Sequence, residues 1–280
     1  MSGDQERDTR SADHRWNQVT TLVTAFTAVG ALVFTGLSLR ATQDQIDVTQ
    51  QGQLTDRYTK AVDQIGAAGP DRLWVRVGGV FALERIAMDS PRDQRTVVEV
   101  LSAFIRTSSP RQTPATVCPD TPADVKAAFV VLTRRALDRE KDQPIVIDLR
   151  DTCLAGVRAQ KADLTAVSLV GSDLHGADFA HAHGDLVGLN KVNLSGADLY
   201  SADFSGFTNL TGTDLTGARL DSAKIARKSL TDVKLVNADL QGVDLSNVKL
   251  TGVDLTGAKH DSRTNTTGAT YDATTKGAWW

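Results

Sequence analysis

Ala162-Asp163-Leu164, Ser172-Asp173-Leu174, Ala177-Asp178-Phe179, Ala197-Asp198-Leu199, Ala238-Asp239-Leu240 and Val253-Asp254-Leu255 are copies of one five-residue unit that runs from about residue 145 to 262. A small or β-branched residue is followed by Asp, Asn or Lys, then Leu or Phe, then often Ser or Thr and Gly. A five-residue step suits neither regular structure. On an α-helix the leucines would spread around the whole cylinder, and on a flat strand successive leucines would face opposite sides. The chain must therefore turn within each unit, and Gly, Asp, Asn and Ser supply the turning. Stacked turns with backbone pairing between layers bury every large central residue along one axis.

Upstream, residues 1–15 are polar and mixed in charge, which predicts a disordered tail. From Trp16 to Leu39 there is no charge, and Arg15 and Arg40 bracket the run. It is long enough to cross the bilayer as one helix, with Trp16 at the interface. A signal peptide would need a shorter apolar core and a cleavage site, and a buried soluble helix would show a polar stripe. Thr20, Thr21, Thr24, Thr27 and Thr35 dilute the run, but each hydroxyl can bond back to its own helix. Thr20, Thr24, Thr27, Ala31 and Thr35 share one face, which either admits a second copy or is simply tolerated.

Residues 40–66 read as a stalk helix, with Ile46, Leu54, Tyr58, Ala61, Val62 and Ile65 at helical spacing; Gly66 to Asp71 ends it. Residues 67–143 hold three more helical stretches and read as a helical adaptor with a solvated charged face. Ser90-Pro91 and Thr121-Pro122 are the expected starts of the second and third. The Ser/Pro/Thr-rich segment 107–120 reads as a linker containing Cys118. Cys118 and Cys153 lack metal-type spacing, so free, inert thiols are expected, with one bridge open as an alternative.

The repeat resembles the pentapeptide-repeat family, here of a membrane-tethered type with an N-terminal transmembrane helix and a helical adaptor. The resemblance implies a right-handed quadrilateral β-helix over 144–262, with 20 residues per coil. The central Leu or Phe and the small residue two before it would point inward. In that register Ala159 stacks beside Phe179 and Gly184 beside Phe204, so small centres neighbour large ones. Outward positions form the columns Asp214–Lys234–Asp254, Arg219–Asp239–Lys259, Lys224–Asp244 and Asp163–His183–Asp203. Between Phe204 and Leu210 the register slips by one, with Phe207 as the expected extra residue. Residues 263–280 leave the pattern: His260 replaces a central Leu, and Trp279-Trp280 is placed to close the open end as a C-terminal cap.

His175, His181 and His183 cluster, yet the columns assign His183 to two carboxylates, so no metal site is expected. The aspartates fall at turn positions, and the sequence has no phosphate loop, nucleophile motif or dinucleotide fingerprint. No catalytic, cofactor-binding or metal residues are assigned, and the chain is not read as an enzyme. A net charge of −3 with mixed signs argues against a nucleic-acid partner. The expected function is a non-enzymatic, membrane-anchored scaffold presenting a rigid rod to protein partners, with the bilayer met through 16–39 and self-association through that helix. Some relatives imitate DNA and shield type II topoisomerases, but those rods are strongly acidic. Here Arg219, Lys224, Arg227, Lys228, Lys234, Lys249 and Lys259 interrupt the acid. An enzyme acting on a membrane substrate is the remaining alternative. The basic residues nearest the span favour an inside N-terminus and an outside body. The resemblance favours a cytoplasmic repeat domain, which is the expectation adopted.

Overall fold

The computed structural model describes residues 4–112, 118–140, 144–225 and 229–280, with the side chains of 4–26, 28, 29, 47, 208 and 209 outside the description. The chain divides into residues 1–56 and 57–280.

Helix α1 spans Asp4–Ile65 and lies across both. The tail expected over 1–15 is therefore helical from Asp4: its Glu, Gln, Arg and Ala are good helix formers, and extending an existing helix avoids the nucleation penalty. Among the described residues no helix is long and apolar enough to cross a membrane. The transmembrane helix expected over 16–39 falls largely on side chains outside the described set. Where its threonines are described, Thr35 Oγ1 donates to Ala31 O at 2.8 Å.

In the larger unit the end of α1 packs on α2 (Leu73–Asp89), followed by α3 (Gln94–Ser108) and α4 (Ala123–Thr133). A Cβ on Gly79 would sit 2.8 Å from Ala61 O and from Ile65 Cγ2, so glycine sets this close approach. The expected helix starts move. Ser90-Pro91 forms a turn ahead of α3, which begins at Gln94. Thr121 makes no cap; its Oγ1 donates instead to Ala155 O at 2.8 Å. The expected solvated charged face has two exceptions. Asp124 and Glu140 are buried, where they pair with Arg76 and Arg135; charges can be buried only when so matched.

From Ile147 the chain winds as a parallel β-helix. Short strands stack in the orders β1-β2-β3-β4 (Ile147–Asp148, Val167–Ser168, Val187–Gly188, Phe207–Asn209) and β5-β6-β7 (Ser229–Thr231, Lys249–Thr251, Thr270–Tyr271). Ile147 pairs with Val167 and Leu230 with Leu250, the expected 20-residue step. Central leucines such as Leu154, Leu174, Leu194 and Leu240 are buried, each contributing about 1.5–3 kcal/mol relative to exposure.

The residue two after most centres turns the corner in the left-handed region: Gly156, Gly176 and Gly196 do so, and so do Lys161, His181 and Ser201. The aspartate before each centre fixes the same corner from the other side. Asp173 Oδ1 accepts from His175 N at 3.0 Å, and Asp198, Asp214 and Asp254 repeat the contact with Tyr200, Thr216 and Thr256.

The register slip is real, but its extra residue is Thr208. Phe207 pairs with Val187 and Asn209 with Gly188, so Phe207 keeps the inward position. Its ring lies 4.7 Å from that of Phe204, in the layer next to Gly184, which offers no side chain. Gly184 is small for a second reason: a Cβ there would lie 2.6 Å from Thr165 N. Winding also continues past 262. Asn265 and Lys276 bridge to Asp244 and Asp254, 21 and 22 residues back, so the five-residue signature fades while the coil persists.

The helical adaptor packs against the N-terminal end of the rod. Phe129 of α4 meets Phe179 edge-on at 5.9 Å, filling the space beside the short Ala159. Backbone groups of the first coil are taken up by Ser109, Arg111, Thr121 and Thr133. Residues 107–120, expected as a linker, thus include a docking element: Pro110 bridges to Thr152, and Cys118 forms a disulfide with Cys153. The expected free thiols are corrected by that pairing, since the first coil brings the two Cα atoms to 5.5 Å.

Candidate interaction surfaces

The predicted columns stack as backbone bridges, Asp214 to Lys234 to Asp254, Arg219 to Asp239 to Lys259 and Lys224 to Asp244. Their side chains pair as read at Lys234, whereas Lys224 and Arg219 reach the preceding layer across the slip. Lys234 reaches Asp214 at 3.1 Å, Lys224 reaches Asp203 at 3.2 Å and Arg219 reaches Asp198 at 3.2 Å. Arg219 also pairs with Asp221 and lies 4.5 Å over the ring of Tyr200. For Asp214, burial pushes the pKa up, but hydrogen bonds from Thr216 and Lys234 outweigh it and hold the carboxyl below its usual value. Asp173 follows the same pattern, with His175 and Asn193 as its donors. Carboxyls held low in this way remain ionised and make poor general acids near neutral pH.

The histidines go separate ways. His175 Nδ1 meets Asp173 at 3.0 Å, His181 packs edge-on against Tyr200 at 5.1 Å, and His183 Nε2 lies 3.6 Å from Asp163. Among the described residues no group of three or more His, Cys, Asp or Glu is placed to hold a metal ion.

A cavity of about 560 Å³ opens where α2, α3 and α4 converge, lined by Met88, Val97, Leu101, Val131 and the arginines 134, 135 and 139. The guanidinium groups are already engaged: Arg134 with Glu84, Arg135 with Glu140, and Arg139 with the carbonyls of Ala87 and Met88.

Among the described residues of this unit, apolar side chains stay uncovered on α2 and at one corner of the rod. On α2, Trp74, Phe81 and Met88 recur every seven residues and are 75%, 45% and 66% exposed, while Val80, Leu83 and Ile86 of the same helix are buried. On the rod, Val146 and Leu186 are 70% and 65% exposed at one corner. Leu186 also has a φ of +60°, a backbone region where leucine is strained and glycine would be favoured. Its backbone turns a corner as Lys161 and His181 do, but its exposed side chain adds nothing to the core. Beside this corner lies the strand face, where Ser168, Val170, Asn190, Thr211 and Thr231 present no charge. The repeat logic missed both surfaces. For α2 the signal was available in the seven-residue spacing; for Leu186 it was a leucine at the position usually given to Gly, Asp, Asn or Ser.

The pentapeptide-repeat family profile matches with eight copies, over residues 147–183 and 229–259. The chain therefore carries a pentapeptide-repeat domain, wound as a β-helix. No curated protein matches the chain in sequence. Among solved structures, QnrB1, described as a plasmid-mediated fluoroquinolone resistance protein, is 20% identical, over 45% of this chain and 75% of that one, with a TM-score of 0.23. Rfr23, a pentapeptide repeat protein from the cyanobacterium Cyanothece 51142, is 25% identical over 42% and 63%, with a TM-score of 0.18. HetL, from the cyanobacterium Nostoc sp. strain PCC 7120 and described as involved in heterocyst differentiation regulation, is 23% identical over 44% and 77%, with a TM-score of 0.15. Scores this low carry no argument, and the fold rests on the hydrogen bonding above and the repeat match.

Proposed function

We propose that this chain is a non-enzymatic scaffold, tethered to a membrane by residues 16–39, that holds a helix-capped β-helical rod for protein partners. The observation that carries the reading is a set of large apolar side chains left exposed among the described residues: Trp74, Phe81 and Met88 on α2, and Val146 and Leu186 on the rod. Exposed aromatic and aliphatic clusters of this kind are what protein interfaces bury, whereas Arg219, Lys224 and Lys234 of the rod already pair with its own aspartates. The tether is supported by the charge-free run between Arg15 and Arg40 and by Leu32, Val33, Phe34, Leu37 and Leu39, all exposed. Topoisomerase shielding is disfavoured by the lysines and arginines that alternate with aspartate along the columns.

The test is proximity labelling from the full chain in cells, comparing the parent with Trp74→Glu/Phe81→Glu/Met88→Glu and, separately, Val146→Glu/Leu186→Glu. Loss of the same neighbours in one variant, with an unchanged melting curve, locates the binding surface. An unchanged set of neighbours in both variants would sink the reading.

A further inference from the structure

We infer that the body of the protein, residues 57–280, works on the oxidising side of the membrane, with Cys118–Cys153 as a covalent lock that keeps the helical cap on the first coil of the rod. The inference rests on the tether reading for its membrane, and it replaces the cytoplasmic placement suggested by family resemblance.

These are the only two cysteines in the chain, and they lie 35 residues apart yet are bonded. Both are buried and pack with Ala155. The bond sits among the contacts that dock the cap. On one side Ser109 Oγ donates to Cys153 O at 2.7 Å, and Cys153 N donates to Ser109 O at 2.8 Å. On the other, Thr121 donates to Ala155 O through both its amide and its hydroxyl. The cross-link therefore joins the chain just ahead of α4 to the first turn of the rod. Such pairs persist in oxidising compartments and are kept reduced where glutathione and thioredoxin operate. Burial means that the bond forms while the cap is still open. A thiolate attacks the disulfide of a dithiol oxidant, and the second thiolate then displaces it. Two protons and two electrons leave the cysteines, and the oxidant departs as its dithiol.

An independent observation points the same way. Arg7, Arg10 and Arg15 all lie close before the charge-free run, whereas after it only Arg40 is close and Arg57 and Lys60 follow well downstream. The positive-inside bias places the N-terminus on the reducing side and residues 57–280 across the bilayer.

The experiment uses the full chain in its native membranes. Cells are acid-quenched, free thiols are tagged with a maleimide–polyethylene glycol, and the gel shift is read before and after reduction. The expected result is no tag before reduction and two after it. In parallel, protease added outside intact cells should digest the body, and dithiothreitol should speed that digestion by roughly tenfold or more as the cap is released. Two tags without reduction on a membrane-bound chain would overturn the inference and leave the tether standing. A body protected from outside protease would overturn it as well. A soluble chain that carries the disulfide would remove the tether and keep the oxidising placement.

Discussion

The two ends of the rod are closed by different means. At the N-terminal end three helices cover the first coil, with a buried aromatic contact, two internal ion pairs and a disulfide. At the C-terminal end the chain adds one more coil whose inward positions are small, polar or exposed. It then lays Trp279 flat against His260, with ring centroids 4.2 Å apart and planes 1° from parallel. Trp280 stands edge-on to Trp279 and Tyr271. An open coil edge needs both its hydrogen bonds and its apolar centre covered. The helical cap supplies both from elsewhere in the chain, while the C-terminal coil uses its own last residues. The N-terminal end therefore holds the larger share of stability that substitution can remove.

Phe129→Ala should have the largest effect, about 3–5 kcal/mol from lost burial and the cavity left against Phe179. A denaturant melt of the full chain in detergent checks it, and a loss under 1 kcal/mol would mean that the cap barely supports the first coil. Asp124→Ala strips Arg76 of its partner inside the cap and should cost about 3 kcal/mol; Glu84→Ala, whose partner Arg134 is half-exposed, should cost only a fraction of that. At the other end, Trp279→Ala should cost about 1 kcal/mol, read as a shift of a few degrees in melting temperature. If it equals or exceeds Phe129→Ala, the contrast between the ends is reversed.

The mildest effect is with acid. At Asp272 the hydroxyl of Thr274 leads the donors that pull its pKa down to about 2 from 3.8. Asp173 and Asp214 are also lowered, burial being outweighed by their hydrogen bonds. Each folded-state value lies below the unfolded one, so the contribution is present above about pH 4 and is lost as pH falls through the folded value. Melting temperature should be flat from pH 7 to 5 and fall between pH 4 and 2. A fall already complete at pH 5 would show that these carboxyls are not held low.

Legibility followed the repeat. Leu154, Leu174 and Leu240 were placed inside by the five-residue step, and the columns through Lys234, Arg219 and Lys224 came from the 20-residue coil that the family resemblance implies. The slip after Phe204 was visible, but a count cannot tell which residue bulges. Phe207 reads as the extra residue in the sequence, and only its pairing with Val187 and its contact with Phe204 show that it points inward. The buried pairs Arg76–Asp124 and Arg135–Glu140 were illegible, since partners 48 and 5 residues apart carry no periodic signal.

By itself the sequence determined what repeats every five residues: a turn within each unit, the inward leucines and the aspartates at turn positions. Each is enforced locally and again by an identical neighbour one layer away, while the 20-residue coil came with the family resemblance. Tertiary structure alone decided the non-repeating contacts. It turned a presumed linker into a docking segment, joined Cys118 to Cys153, buried two ion pairs and left Trp74, Phe81, Met88 and Leu186 uncovered. Those outcomes depend on which distant surfaces meet, and a pattern read along the chain has no term for that.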